Sequence, residues 1–186
     1  MRCCFVTDLH IDQPGIFPLG LDTRDQFLKV LDHIKGQNYD EAYEYSQELM
    51  KKQGLTYVHP FEDEKIIAGQ GTIGLEIHEK LSDIDAIFIA VGGGGLLSGI
   101  ATALKNFNPK IKVIGVQSEG ASAMAQSFHK KKLVTDVKHI STIADGIAVK
   151  RPSEAMYRDF ISKLCDDVVT VNDEEIAQAI VMLIER

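Results

Sequence analysis

The chain has 186 residues, 45% hydrophobic and 25% charged, with a formal net charge of −7. That length supports one domain with a real core, and the composition is that of a soluble globular protein. The acidic balance excludes a general nucleic-acid binder, because phosphate backbones are held by excess Lys and Arg.

No apolar run reaches membrane-spanning length, and the start carries no signal-peptide pattern. Cys3, Cys4 and Cys165 lack metal-site spacing, and adjacent cysteines rarely bridge one another, so all three read as reduced thiols of a cytoplasmic protein. The six histidines form no His-x-x-x-His pair, and none lies beside a cysteine as a nucleophile's base would.

Residues 1–35 carry weak signals: a strand over Cys3–Val6, a helix over Asp25–Ile34, and between them an irregular loop marked by Pro14, Gly15, Pro18 and Gly20. From Gly36 the pattern becomes regular. Asp40–Lys52 reads as a helix, with Asp40 and Glu41 in its first turn and Lys51 and Lys52 in its last, as the helix dipole favours. Ala42, Tyr45 and Leu49 share one of its faces, and Gly54 stops it. Leu55–Val58 reads as a short strand ending at His59-Pro60. A second helix is expected over Gly69–Leu81 with Ile73, Ile77 and Leu81 inward.

The centre of the chain carries the strongest pattern. Ile84–Val91 is a short apolar run suited to a buried strand. Gly92-Gly93-Gly94-Gly95 follows directly, then Leu97, Ile100, Ala101, Leu104 and Phe107 recur on one helix face. Asn108-Pro109 ends that helix and Ile111–Val116 supplies another strand. Parallel strands need such a crossover, so this is a βαβ unit. Four glycines entering a helix suggest an anion: the first helical N–H groups lack partners, the dipole is positive there, and glycine lets a phosphate approach the backbone. A Walker loop would continue Gly-Lys-Ser/Thr, and Leu96 follows Gly95 instead. A dinucleotide fingerprint needs glycines at i, i+2 and i+5, and Leu97, Ser98 or Leu96 breaks each possible frame. An unliganded strand–helix turn is the plain alternative.

Downstream, Ser122–Phe128 and Ser153–Leu164 read as helices and Asp167–Val171 as a strand. The basic run His129-Lys130-Lys131-Lys132 reads as a solvated loop. Asn172 and Glu175 resemble a capping box. Ile176, Ile180, Leu183 and Ile184 mark the expected buried face of a last helix, which runs to Arg186 with no C-cap, as in a chain that stops mid-architecture.

Three segments occur in order: Gly69-Gln70-Gly71-Thr72-Ile73-Gly74, Val91–Ala101 with its four glycines, and Ile143-Ala144-Asp145-Gly146-Ile147. Together they resemble the threonine/serine dehydratases, pyridoxal-phosphate enzymes of fold type II that include serine racemases. The resemblance runs from Gly36 to Arg186. It implies an α/β fold, an open parallel sheet with helices on both faces, forming part of a fold type II large domain. It implies that Gly92, Gly93, Gly94, Gly95 and the backbone of Leu96 hold the cofactor phosphate, with Gly146 beside the cofactor ring. Residues 1–35 do not share it and read as the product of an altered reading frame or a spurious start, leaving 36–186 as a partial cofactor-binding domain.

The resemblance also marks departures. Where some family members place a metal-binding Glu this chain has Gln117, with Ala121 and Ala123 at further contacts, so no metal is expected; a hard cation prefers carboxylates. No lysine stands in the Ser-x-Lys-x-Arg-Gly motif of the Schiff-base lysine, so no catalytic residue is assigned, and Lys150 reads as a surface lysine. The upstream asparagine loop and the C-terminal Ser-Gly-Gly segment are missing too. The implied whole-enzyme activity is pyridoxal 5'-phosphate-dependent deamination of threonine or serine in a cytoplasmic homo-oligomer. This chain would supply the phosphate cradle without its base. The alternatives are a silent phosphate-binding or oligomerisation fragment, and a nucleotide-binding βαβ domain with Glu119 at a ribose.

Overall fold

A computed structural model describes residues 39–54, 56–135, 137 and 139–185. The expected strand over Cys3–Val6 and helix over Asp25–Ile34 lie outside the described residues. The chain divides into two compact units, Met1–Val58 and His59–Arg186.

In the first unit, α1 (Tyr39–Gln53) ends on Lys51 and Lys52, as the charge pattern requires. Tyr43 meets Tyr57 edge to face, ring centres 6.0 Å apart. The expected strand over Leu55–Val58 does not form over 56–58, and Leu55 is outside the described residues. A strand needs a partner, and no described strand pairs with this segment.

The second unit is an α/β layer. Helix α2 (Glu64–Lys80) starts ahead of the expected Gly69, because Asp63 caps it. The Asp63 carboxylate accepts from the N–H groups of Lys65 (2.8 Å) and Ile66 (3.4 Å). Of its expected inward face, Ile77 packs against the core, but Ile73 and Leu81 do not. Ile73 and Leu81 are 39% and 57% exposed, while Ile67 and Gly74 are buried. Glycine decides this packing. A Cβ on Gly74 would stand 2.9 Å from the Ala103 Cβ, and one on Gly99 would strike the Ile67 carbonyl, so α2 lies backbone-close to α3 (Gly95–Phe107). The helix-propensity cost of glycine, about 1 kcal/mol each, is set against that contact.

Strands β1 (Ala86–Ala90), β2 (Lys112–Ser118) and β3 (Asp167–Val171) form a parallel sheet in that order. Ala86 registers with Lys112, and Ile114 with Asp167. Helix α3 crosses from β1 to β2, and α4 (Ala123–Lys130) lies in the connection from β2 to β3. Leu97, Ile100, Ala101 and Leu104 of α3 join Ile89, Val91, Val113 and Val168 in the core, as their spacing implied. Phe107 departs from that stripe: it is 51% exposed and stacks on His78 at 4.2 Å. Strand alternation puts Phe88 on the opposite face from Ile89, and Phe88 is 67% exposed.

Asp166 ties the layers together. Its carboxylate accepts from Lys105 Nζ and from the Val113 N–H, both at 2.8 Å. Burial works to raise its pKa, but these partners prevail and hold the carboxyl below its ordinary value. Before β3 the chain makes a π-helical turn (Met156–Ile161) that runs into α5 (Ser162–Leu164), burying Met156 and Ile161. After β3, α6 (Asp173–Ile184) opens on the expected capping box: Asn172 Oδ1 accepts from the Glu175 N–H (2.9 Å), and Glu175 Oε2 from the Asn172 N–H (2.8 Å). Its expected buried face is overturned. No residue of α6 is buried, and Ile180, Leu183 and Ile184 are 48%, 76% and 78% exposed.

Candidate cofactor-phosphate site

The glycine turn lies at the carboxyl end of β1, where ligands of parallel α/β sheets bind. Gly94 is the N-cap of α3 with φ of 101°, a backbone state that disfavours every L side chain, and no side chain caps the helix. The first helical bond joins the Ser98 N–H to the Gly94 carbonyl at 2.9 Å. The N–H groups of Gly95, Leu96 and Leu97 therefore precede the helical ladder. Among the described residues, no acceptor meets the N–H of Gly92, Gly93 or Gly94 either. Gly93, Gly94 and Gly95 are buried, while Leu96 is 37% exposed. Unpartnered donors on a buried turn, at the positive end of a helix, are a donor set suited to a phosphate. The residues present thus fit the phosphate of the implied cofactor.

The directions in which side chains would project are closed. A Cβ on Gly93 would stand 2.5 Å from the Phe61 ring, and one on Gly95 would stand 2.8 Å from the Phe61 Cβ. On Gly94 it would meet Ile161 at 2.9 Å and Met156 at 3.1 Å, and on Gly92 it would meet the Ile147 Cα at 3.1 Å. Apolar groups thus wall the turn, and its N–H donors meet no acceptor among the described residues.

Gly92, Gly93, Gly94, Gly95 and Leu96 are contiguous, and the short 3-10 turn Asp145–Ile147 reaches them through Ile147. Gly146 is exposed, and nothing lies within 4 Å of a Cβ built on it. Lys150 is exposed as well. Gln117 is buried, and its Oε1 accepts from the Ala125 N–H at 2.9 Å, which caps α4 from the neighbouring strand. A network beside it joins the Ser118 hydroxyl to Thr142 (2.7 Å), and Thr142 to Asp173 at the start of α6 (2.6 Å). No group of His, Cys, Asp or Glu able to hold a metal occurs among the described residues. Cys165 is pushed up to about 12 by burial first and by Asp166 second, which leaves its thiol protonated and unreactive near neutrality.

Sequence reasoning missed Phe61, whose only signal was the His59-Pro60-Phe61 break before a helix. His59 is held below its ordinary value by burial, against the pull of Glu62 and Asp63.

Comparison with known proteins identifies the family. A family model described as pyridoxal-phosphate dependent enzyme matches residues 26–186, so the match begins ahead of Gly36. The L-threonine ammonia-lyase of Thermotoga maritima is 44% identical over 95% of this chain and 43% of its own length. A catabolic L-threonine dehydratase of Staphylococcus aureus is 48% identical over 96% of this chain and 51% of its own length. Among solved structures, a processed threonine deaminase isoform 2 from Solanum lycopersicum superposes with a TM-score of 0.73 at 39% identity, covering 83% of this chain and 43% of that one. Maize serine racemase gives 0.72 at 33% identity, covering 78% of this chain and 43% of that one. The chain thus spans about half the length of the curated relatives it matches, between 43% and 51%. With its parallel sheet and its glycine turn, the chain belongs to the family of pyridoxal-phosphate dependent enzymes.

Proposed function

We propose that this chain is the phosphate-cradling part of a threonine/serine ammonia-lyase. One observation carries the reading: among the described residues no acceptor meets the N–H groups of the largely buried four-glycine turn, in a chain of a pyridoxal-phosphate family. Gly92 to Leu96 hold the phosphate through their backbone, and the Gly146 loop stands beside the ring. When bound, the cofactor supplies an electron sink for charge developing at the substrate α-carbon. This chain's residues bind and orient: the α3 terminus neutralises phosphate charge, while Phe61, Met156 and Ile161 keep water from the turn.

The same reading assigns no catalytic residue and no metal. Gln117 spends its acceptor on α4, and no lysine stands in the Ser-x-Lys-x-Arg-Gly motif, so this chain alone does not deaminate threonine or serine. A general base must come within about 2.6–3.2 Å of the proton it removes. A cytoplasmic homo-oligomer fits the free Cys165 thiol and the exposed Ile180, Leu183 and Ile184. No helix among the described residues is long and apolar enough to cross a membrane.

The test combines borohydride trapping with peptide mapping and a 2-oxobutanoate assay on threonine. Scattered substoichiometric lysine labels without turnover are expected. One stoichiometrically labelled lysine with steady 2-oxo acid production overturns the reading, and Lys150 is the first position to check.

A further inference from the structure

The segment that walls the glycine turn is itself bonded to the His59 side chain. His59 Nδ1 faces two backbone donors, the N–H of Glu62 at 3.1 Å and that of Phe61 at 3.4 Å. A ring nitrogen that receives two donors carries no proton, so the proton of the neutral ring sits on Nε2. Nε2 lies 3.6 Å from Glu62 Oε2. The His59 and Phe61 rings meet edge to face at 4.6 Å. Phe61 in turn rests on the turn at two points, its ring over Gly93 and its Cα, Cβ and carbonyl against Gly95. A chain of contacts therefore runs from one imidazole nitrogen to the backbone whose donors face the phosphate.

We propose that His59 is a positioning residue for the glycine turn: its unprotonated Nδ1 fixes the 60–62 bend and so seats Phe61 against Gly93 and Gly95. This rests on the reading of the turn as a phosphate cradle, and it adds to that reading a residue that touches neither phosphate nor ring. Protonation turns Nδ1 from acceptor to donor. It then opposes the Phe61 and Glu62 N–H groups, and the bend loses its tie. The charged groups facing the ring among the described residues are Glu62 and Asp63, both of which favour the protonated form, and burial acts against them more strongly. The acceptor state is therefore the one present at neutral pH, and it is lost as pH falls below the ordinary value of 6.5.

The experiment follows the ¹⁵N amide signals of Gly93 and Gly95 and the ring nitrogens of His59 in the full chain, without ligand, from about pH 8 to 5. Sulfate titrations accompany it, because sulfate does not titrate in this range. Wild type is expected to show the Nε2–H tautomer at neutral pH, with the glycine amides shifting at the midpoint of the His59 ring. His59→Asn keeps an oxygen acceptor that cannot titrate. Its glycine amides should stay flat with pH, and its sulfate affinity should stay near wild type. His59→Leu should displace those amides at every pH and weaken sulfate about three- to tenfold, the loss of a hydrogen bond's worth of positioning. Glycine amides indifferent to the His59 ring, or Asn and Leu variants that behave alike, overturn the proposal. If the amides follow His59 while no variant binds sulfate, the positioning role stands and the phosphate reading fails.

Discussion

Helices α3 and α6 each follow a parallel strand and carry apolar residues at helical spacing, yet their fates differ. In α3, Leu97, Ile100, Ala101 and Leu104 are at most 4% exposed. In α6 no residue is buried, and Leu183 and Ile184 are more than three-quarters exposed. The difference does not lie in local coding, since α6 has the better start: a complete capping box against the uncapped glycine entry of α3. Apolar periodicity says that a helix has a face to bury. Only the neighbouring layers say whether anything covers that face. Helix α3 has β1, α2 and the π-helical turn against it. Helix α6 is tied at its first residue, through Asp173 to Thr142 and the Ile143 N–H.

The largest expected effect comes from the entry to α3. Gly94→Val adds a β-branched side chain at φ of 101° and drives its Cβ to within 2.9 Å of Ile161. Strain and overpacking together should cost about 2–6 kcal/mol in denaturant unfolding. Sulfate binding should fall with it, and a variant of wild-type stability and affinity would break the account of this turn.

Next comes the contrast of burial itself. Leu104→Ala removes a side chain with 0% exposure and should cost about 2–5 kcal/mol. Leu183→Ala, at 76% exposure, should stay within about 0.5 kcal/mol. Equal costs measured on the full chain would mean that α6 is covered in solution, by another copy or another segment.

Smaller is the cap. Asn172→Ala removes the acceptor for the Glu175 N–H and should cost about 1 kcal/mol of helix stability. With α6 unpacked, that loss should show as faster hydrogen exchange within α6, and not as a lower global midpoint. A full shift of the global transition would show instead that α6 unfolds together with the core.

The smallest effect is a pH dependence. The Asp166 carboxyl is held below its ordinary value, although burial opposes this, by Lys105 and the Val113 N–H. A depressed acid binds fewer protons folded than unfolded, so its contribution is present above the unfolded pKa of 3.8 and is lost as pH falls through the folded value. Asp166→Asn should flatten the acid limb of the stability profile below about pH 4, with little change at neutral pH. An unaltered acid limb would remove Asp166 from the forces joining β2 and β3.

Much of this architecture was legible without coordinates, because short-range physics writes it. The Asp167–Val171 strand, the Asn172–Glu175 cap, the inward stripe of α3 and the four-glycine entry each depend on residues within a few positions of one another. The same local grammar also contained the Asp63 cap that places the start of α2 at Glu64, ahead of the glycines at 69, 71 and 74. Gly71 and Gly74 are contact points inside the helix, while nothing lies within 4 Å of a Cβ built on Gly69.

The amino-acid sequence by itself determined the βαβ order, the parallel pairing and the donor-rich turn, because propensity, periodicity and capping act over a single turn or strand. Tertiary structure alone decided which apolar faces are covered, since burial depends on what other elements bring to the same place. It set α2 against α3 through Gly74 and Gly99, left Phe88 and the α6 face exposed, and turned Gln117 inward to cap α4. It also brought Phe61, more than thirty residues away in the chain, onto Gly93 and Gly95. No pattern within one segment encodes that contact, because the two glycines admit it only by having no side chain where the ring comes to rest.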